Sequence, residues 1–324
     1  MALAQERGPR KIDRKIDGRG RSAHDLGWME PQPHRRLGGR LAATMAAASV
    51  CYAASVVAAP PTLDEVLSRL DTYLIAYEQR LSSLVAEEHY EQWFRNGRGP
   101  ADPKGRSLTS DFVFAQLPGS APWLGFRDTF VVDGRPVREH DARVQRQLAE
   151  GSEDALEQAA LIVEENARYN LADNVVHRTI NVPTLTLHLL HPRYRSRFSY
   201  RKAGEGGIEG QRVWKIDFRE SVLPPLIKTP RGSNQLSRGS MWVNPGSWAV
   251  GRTILTVAAD TPRDTSRAQI AVDFRQDAGV GFLVPFEMRE YYSIARTRAI
   301  TRIDGVATYS NFRRFQTSAR IVEK

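Results

Sequence analysis

Val213-Trp214-Lys215-Ile216-Asp217-Phe218-Arg219 decides the fold class. In an extended chain Trp214, Ile216 and Phe218 share one face, and Lys215, Asp217 and Arg219 share the other. That period of two marks a strand with one buried and one solvated side, as in an antiparallel sheet. Gln269–Arg275 repeats it with Ile270, Val272 and Phe274. Between these two runs, Ser240–Val243 and Trp248–Val257 flank Asn244-Pro245-Gly246-Ser247, a hairpin signal. Val284–Tyr292 and Val306–Gln316 extend the series, with Asp304-Gly305 just before the last. Pro224-Pro225 to Gly239 reads as a polar connection between strands and as a candidate lid.

Towards the N-terminus the same chemistry recurs. Ala86–Phe94, Thr109–Leu117 and Trp123–Val132 are rich in aromatic and β-branched residues. They are separated by Asn96-Gly97-Arg98-Gly99-Pro100 and Pro118-Gly119-Ser120 and closed by Asp133-Gly134. Glu139–Leu148 and Ser152–Tyr169 are rich in Ala, Glu and Gln with helical spacing, and Ser152 suits an N-cap. Leu63, Leu67, Leu70, Leu74, Tyr77, Leu81 and Leu84 form one apolar stripe, and Thr62 with Glu65 makes a capping box. No strand–helix–strand alternation occurs, which argues against a doubly wound sheet. The expectation is an α+β protein: a single, strongly curved antiparallel β-sheet with helices packed on one face and a helical insert at about 139–190.

The chain has 324 residues and a formal net charge of +9. Ten of its Lys/Arg and five of its Asp/Glu precede residue 60, so the surplus beyond that point is only four. A surplus of that size favours solubility and names no partner. The run 41–59 carries no charge and is dominated by alanine, with Arg35, Arg36 and Arg40 before it and Pro60-Pro61 after it. This is the layout of a secretory signal, with cleavage expected after Ala58 or Ala59. Retention of 41–59 as a membrane anchor is the alternative. Residues 1–40 read as a basic, disordered extension, and translation from Met29 would leave a more ordinary signal. Cys51 is the sole cysteine, so removal of the signal leaves a thiol-free protein suited to an oxidising compartment. Residues 60–324 then form the α+β domain.

Arg178-Thr-Ile-Asn-Val-Pro183, Lys228-Thr-Pro-Arg-Gly232, Met241-Trp-Val-Asn-Pro245, Val284-Pro-Phe-Glu-Met-Arg-Glu290 and Thr308-Tyr-Ser-Asn-Phe-Arg-Arg-Phe315 resemble an uncharacterised family of exported bacterial proteins. The similarity spans most of residues 62–317. The order of elements is similar to that of the LolA/LolB-like periplasmic lipoprotein-sorting proteins. That resemblance implies a LolA-like half-barrel and a lipid or lipoprotein as ligand; it transfers no binding residue.

The chemistry-bearing residues point to no reaction. There is no GxSxG, HExxH or P-loop. His188 and His191 lie between Pro183 and Pro192, and on an extended segment a spacing of three points them apart, so no metal is expected. Glu87-Glu88-His89 reads as a solvated strand edge. Gly204-Glu-Gly-Gly-Ile-Glu-Gly210 reads as a hairpin loop. Arg193-Tyr-Arg-Ser-Arg-Phe198 and Asn311-Phe-Arg-Arg-Phe315 could meet phosphate or carboxylate groups, and no nucleic-acid partner is expected. The expected function is that of an exported, non-enzymatic binding protein without cofactor. An apolar ligand would lie between sheet and helices, against Phe112, Phe114, Trp214, Phe218, Phe274, Phe286 and Met288. A structural or protein-interaction role in the envelope is the alternative, and an unrecognised hydrolase the lesser one. Membrane contact would be transient or through an uncleaved signal.

Overall fold

The computed structural model describes residues 60–97, 104–115, 124–140, 155–171, 178, 180–227, 236–260, 264–296 and 300–314. The signal run, the Glu139–Leu148 helix beyond residue 140, and Ser152 lie outside the described residues. The described elements belong to the compact unit Ala58–Lys324.

Helix α1 (Leu63–Leu81) begins as its capping box requires: the Thr62 hydroxyl accepts from the Glu65 amide, and the Glu65 carboxylate accepts from the Thr62 amide. Its apolar stripe is buried from Val66 to Leu81. The strands are β1 (Leu84–Asn96), β2 (Lys104–Ala115), β3 (Leu124–Val132), β4 (Arg135–Pro136), β5 (Phe198–Ile208), β6 (Gln211–Glu220), β7 (Arg238–Val243), β8 (Val250–Asp260), β9 (Asp264–Asp277), β10 (Phe282–Arg296) and β11 (Ile300–Arg314). They form one open antiparallel sheet in the order β4-β3-β2-β1-β11-β10-β9-β8-β7-β6-β5. Two meanders therefore run outward from a central seam, where β1 pairs with β11 over Leu84↔Arg314 to Asn96↔Thr301.

The sheet is strongly curved. Laid flat, its strands would spread over about 48 Å at the usual spacing, while a helix as long as α1 reaches only about 28 Å. Yet one continuous apolar cluster joins α1 to inward-facing residues of β1, β2 and β5 through β11. Trp214, Ile216 and Phe218 lie in it, as do Ile270, Val272 and Phe274, as their alternation predicts. The 3-10 turn Pro192–Arg197 lies beside α1, and a short helix α3 (Leu185–Leu189) adds Leu187 and Leu189 to the cluster. Helix α2 (Ala155–Ala167) packs elsewhere. Its Ala159 and Ile162 cover Val85, Val113 and Phe126, which face away from α1. The inner face thus carries α1 and α3, and α2 covers a smaller apolar patch on the outer face.

Two local readings change. Gly204–Ile208 is strand rather than loop, because the turn sits later: Glu209 and Gly210 have φ of 49° and 77°, as a tight two-residue hairpin needs. Leu185–Leu189 alternates like a strand but closes into a helical turn, with the His188 amide bonded to the Thr184 carbonyl. The Asn244 turn forms as expected, its Oδ1 accepting from the Gly246 and Ser247 amides.

Candidate functional site

Across the central seam the inner face carries a buried polar cluster that breaks the apolar pattern. Glu88, Tyr90 and Gln92 alternate inward on β1. Register places Gln92 beside Gly305 of β11, and Gly305 beside Glu290 of β10. Tyr90 neighbours Ala307, and Glu88 neighbours Tyr309. From above, Arg178 and the stretch 180–183 lie over this row. Gly125 makes room for it, since a Cβ there would stand 2.8 Å from Val182.

Two arginines bind the segment and sheet together. Arg127 of β3 forks onto Glu88, with Nε 2.7 Å from Oε2 and Nη2 2.9 Å from Oε1. It also donates to the Asn181 carbonyl at 3.2 Å. The Tyr309 hydroxyl donates to Glu88 Oε1 at 3.0 Å. Arg178 reaches down to Glu290 and to Gln92 Oε1 and donates to the Leu171 carbonyl. Both guanidiniums lie over the Tyr90 ring, at 4.9 and 5.5 Å from its centroid. Glu88 and Gln92 are fully buried, and Arg127, Arg178 and Glu290 nearly so.

Burial sets the electrostatics. It pushes the Glu290 carboxyl up to about 8, with the Tyr292 hydroxyl opposing and the Glu88 charge adding to the rise. Arg127 is held charged by Glu88 against its own desolvation. The Glu290 shift has a defined sign. Between the unfolded carboxyl's pKa of about 4.3 and the folded value of about 8, the folded chain keeps a proton that the unfolded chain has released. The Glu290 contribution is therefore complete below the unfolded pKa and is lost as pH rises towards 8. Comparing Glu290→Gln with the parent by urea unfolding at pH 5 and pH 8 tests this. The parent's advantage over the variant is expected to shrink by on the order of a few kcal/mol on going to pH 8. A pH-independent difference between the two would show that the carboxylate is already formed at pH 5.

A second polar group fastens α1. Glu78, buried on the helix, receives Arg193 Nη2 at 3.0 Å on each oxygen and lies 3.0 Å from His191 Nε2. His191 Nδ1 accepts from Arg193 Nε at 2.9 Å, while its Nε2, beside Glu78, makes no hydrogen bond. Asp71 pairs with Arg195. Burial, aided by the Arg193 and His191 charges, pushes His188 down to about 4. Glu220, fully buried, holds both described ends of the 221–237 connection: it accepts from the Leu226 amide at 2.8 Å and from the Ser237 amide at 3.0 Å. Residues 228–235 of that connection lie outside the described residues. On the outer face an open concavity lies at the β3–β4 corner, where His140 stacks on Phe130 at 3.9 Å and approaches Asp111 at 3.3 Å.

Of the residues singled out from sequence, Phe112, Phe114, Trp214, Phe218, Phe274 and Met288 all belong to the inner cluster. Phe286 stands on the other face beneath Arg275, whose guanidinium lies 3.6 Å from its ring centroid. The bulge between Pro285 and Glu287 resets the alternation there. Glu87-Glu88-His89 is no strand edge: β1 is central, so Glu88 turns into the buried cluster while Glu87 and His89 remain outside, exposed or partly so. The arginines of 193–197 serve the fold, Arg193 and Arg195 on α1 and Arg197 on the Val222 and Pro224 carbonyls. Among the described residues, no group of three or more His, Cys, Asp or Glu could hold a metal. No described helix is long and apolar enough to cross a membrane.

No protein-family model matches the chain, and no curated protein does. Solved structures do. The chain is similar to a domain from Vibrio parahaemolyticus described as an outer membrane lipoprotein-sorting protein, at 9% identity over 78% of this chain and 93% of that one, with a TM-score of 0.34. It is similar to a DUF1329 family protein from Desulfovibrio piger at 12% identity over 76% and 92%, with a TM-score of 0.29. It is similar to a LolA superfamily protein from Nitrosomonas europaea at 12% identity over 82% and 98%, with a TM-score of 0.27.

Proposed function

We propose that this chain is an exported, non-enzymatic binding protein of the cell envelope that holds an apolar ligand, a lipid or an acylated protein, between the inner face of the sheet and α1. The observation that carries this reading is the way α1 is attached. It lies over an apolar face built from nine strands, yet it shares no β-pairing with the sheet. Its polar fastenings include the side-chain contacts of Asp71 and Glu78 with residues 191–195, a bond between Tyr73 and the Val250 backbone, and a bond from Arg314 Nη1 to the Arg80 carbonyl at 3.1 Å. Separating α1 from the sheet therefore breaks a few polar contacts and no ladder hydrogen bond. An acyl chain entering the layer would replace the buried stripe of α1 with surface of the same polarity, at about 25 cal/mol per Å² of apolar area covered. The uncharged run 41–59 after Arg35, Arg36 and Arg40 supports export, and membrane contact would be transient or through that segment if it is retained.

Native mass spectrometry with lipid extraction, on chain recovered from an exporting host, tests the reading. A lipid or acyl species is expected at one per chain or a simple multiple. Repeated recovery of empty chain that also takes up no lipid on incubation would overturn it. The alternative, a protein-interaction role in the envelope, is favoured by Leu161 and Val163, which α2 presents to solvent at 59% and 50% exposure.

A further inference from the structure

The two ends of the sheet are built differently. At one end β4 is two residues long and pairs with β3. At the other β5 runs for 11 residues, and among the described residues no strand pairs with its far side. The Ser221 amide bonds the Arg197 carbonyl, and the Glu220 amide bonds the Ser237 carbonyl. Odd residues of β6 therefore turn their backbone groups to β5, and even ones turn theirs to β7. On β5 the residues opposite even positions present N–H and C=O to the open side, which from Tyr200 onward are Tyr200, Lys202, Glu205 and Gly207. The bulge between Lys202 and Gly204 shifts this set from even to odd numbers. Such a row of unpaired backbone groups is a template for another strand.

The strand is also complementary to itself. One half carries Tyr200, Arg201 and Lys202, and the other carries Glu205, Gly206 and Gly207. Two copies set antiparallel about an axis between Ala203 and Gly204 place Lys202 opposite Glu205 of the second copy, and Tyr200 opposite its Gly207. All of these residues belong to the set that faces the open side, so each free N–H between 200 and 207 meets a free carbonyl. Within one chain Lys202 Nζ lies 2.5 Å from Glu205, whose carboxylate also accepts from Arg212 at 3.0 Å. Pairing therefore joins two such clusters into one row of alternating charge. The glycines fit the same arrangement. Gly204, Gly206 and Gly207 lack a positive φ. A Cβ on Gly204 or Gly206 would meet nothing within 4 Å, and on Gly207 only the Gln211 carbonyl at 3.8 Å. Glycine weakens a strand and often marks the close approach of another backbone.

We propose that two copies of this chain dimerise through β5, joining their sheets edge to edge about a two-fold axis beside the Lys202–Gly204 bulge. The contact is isologous: Lys202 of each copy meets Glu205 of the other. A second copy is favoured over an unrelated strand because the charges and the large and small residues of 200–207 match their own reversed order. The paired stretch is short, so the interface is small and the dimer reversible.

Sedimentation velocity on chain recovered from an exporting host, over about 1–300 µM, tests this. The mass is expected to move from one copy to two within that range. Glu205→Lys sets like charges opposite each other twice per dimer and should weaken it at least about tenfold. Lys202→Glu combined with Glu205→Lys restores the opposition and should restore the parent's affinity. Gly207→Pro removes an amide that faces the open side and takes no part in the β5–β6 ladder. An edge strand tolerates proline at such a position, so the melting temperature should hold while the dimer is lost. A chain that stays a single copy at every concentration overturns the proposal, and the Lys202 charge and the bulge then serve to keep the edge from pairing. A dimer that neither Glu205→Lys nor Gly207→Pro weakens overturns it too, because the contact then lies on another surface. A double variant no tighter than Glu205→Lys overturns the register on which the proposal stands.

Discussion

Replacing Arg127 with alanine is expected to lower the free energy of unfolding by about 3–5 kcal/mol, the range for breaking one partner out of a buried ion pair. Glu88 is fully buried, and among the described residues its fork onto Arg127 is its one ion pair. Without that cation, the buried carboxylate keeps, among the described residues, the Tyr309 hydroxyl as its hydrogen-bond donor. The loss is a large share of the roughly 5–15 kcal/mol that stabilises an ordinary domain, so the variant should be mostly unfolded at modest urea. Glu88→Leu with Arg127→Leu is expected to recover most of the loss, because removing both groups leaves no buried charge uncompensated. Urea unfolding of the two singles and the double tests this. A double variant no more stable than Arg127→Ala would mean that the pair contributes through geometry rather than charge, for instance by holding the Asn181 carbonyl and the segment above the seam.

Gly239→Ala is expected to be as damaging, by a different cause. Gly239 lies on β7 between Phe218 of β6 and Leu255 of β8. A Cβ there would stand 1.9 Å from the Ile254 carbonyl oxygen and 2.5 Å from the Phe218 ring. The first contact is with backbone in a hydrogen-bonded strand, which cannot yield without loss of the ladder. Overpacking of cores costs typically about 1–3 kcal/mol, and a clash with backbone belongs at or beyond the upper end. Alanine also restricts the unfolded chain, which favours folding by less than about 1 kcal/mol and leaves the balance unfavourable. The thermal unfolding midpoint of Gly239→Ala should fall by many degrees. An unchanged midpoint would mean that β7 can slide relative to β8. Gly305 differs in kind: a Cβ there would meet side chains, those of Glu290 and Tyr90, rather than backbone.

The inner face of the sheet was legible one strand at a time. Trp214, Ile216 and Phe218 point inward because side chains alternate with period two, and Lys215, Asp217 and Arg219 cannot be buried together unpaired. Thr62 and Glu65 marked the start of α1 because an uncapped helix end leaves donors unsatisfied. Phe286 escaped the same logic, since one extra residue at a bulge reverses the faces beyond it. The buried polar cluster was not legible at all. Glu88 looks like a surface acid when read beside Glu87 and His89. Nothing near it in sequence reveals that Arg127 will fork onto it or that Tyr309, 221 positions away, will donate to it.

By itself the sequence determined most of the strands, the first helix and the helical character of 155–167, which side of most strands is apolar, and that a charge-free run precedes residue 60. Those properties follow from local periodicity, turn chemistry and capping, which act over a few residues. Only the tertiary structure decided that β1 pairs with β11, that α2 covers the opposite face from α1, and that two arginines meet two glutamates beneath Arg178–Pro183. Those outcomes depend on the curvature of the whole sheet and on contacts between residues 39, 112 and, for β1 with β11, more than two hundred positions apart. Partners that far apart leave no pattern in any single stretch of chain.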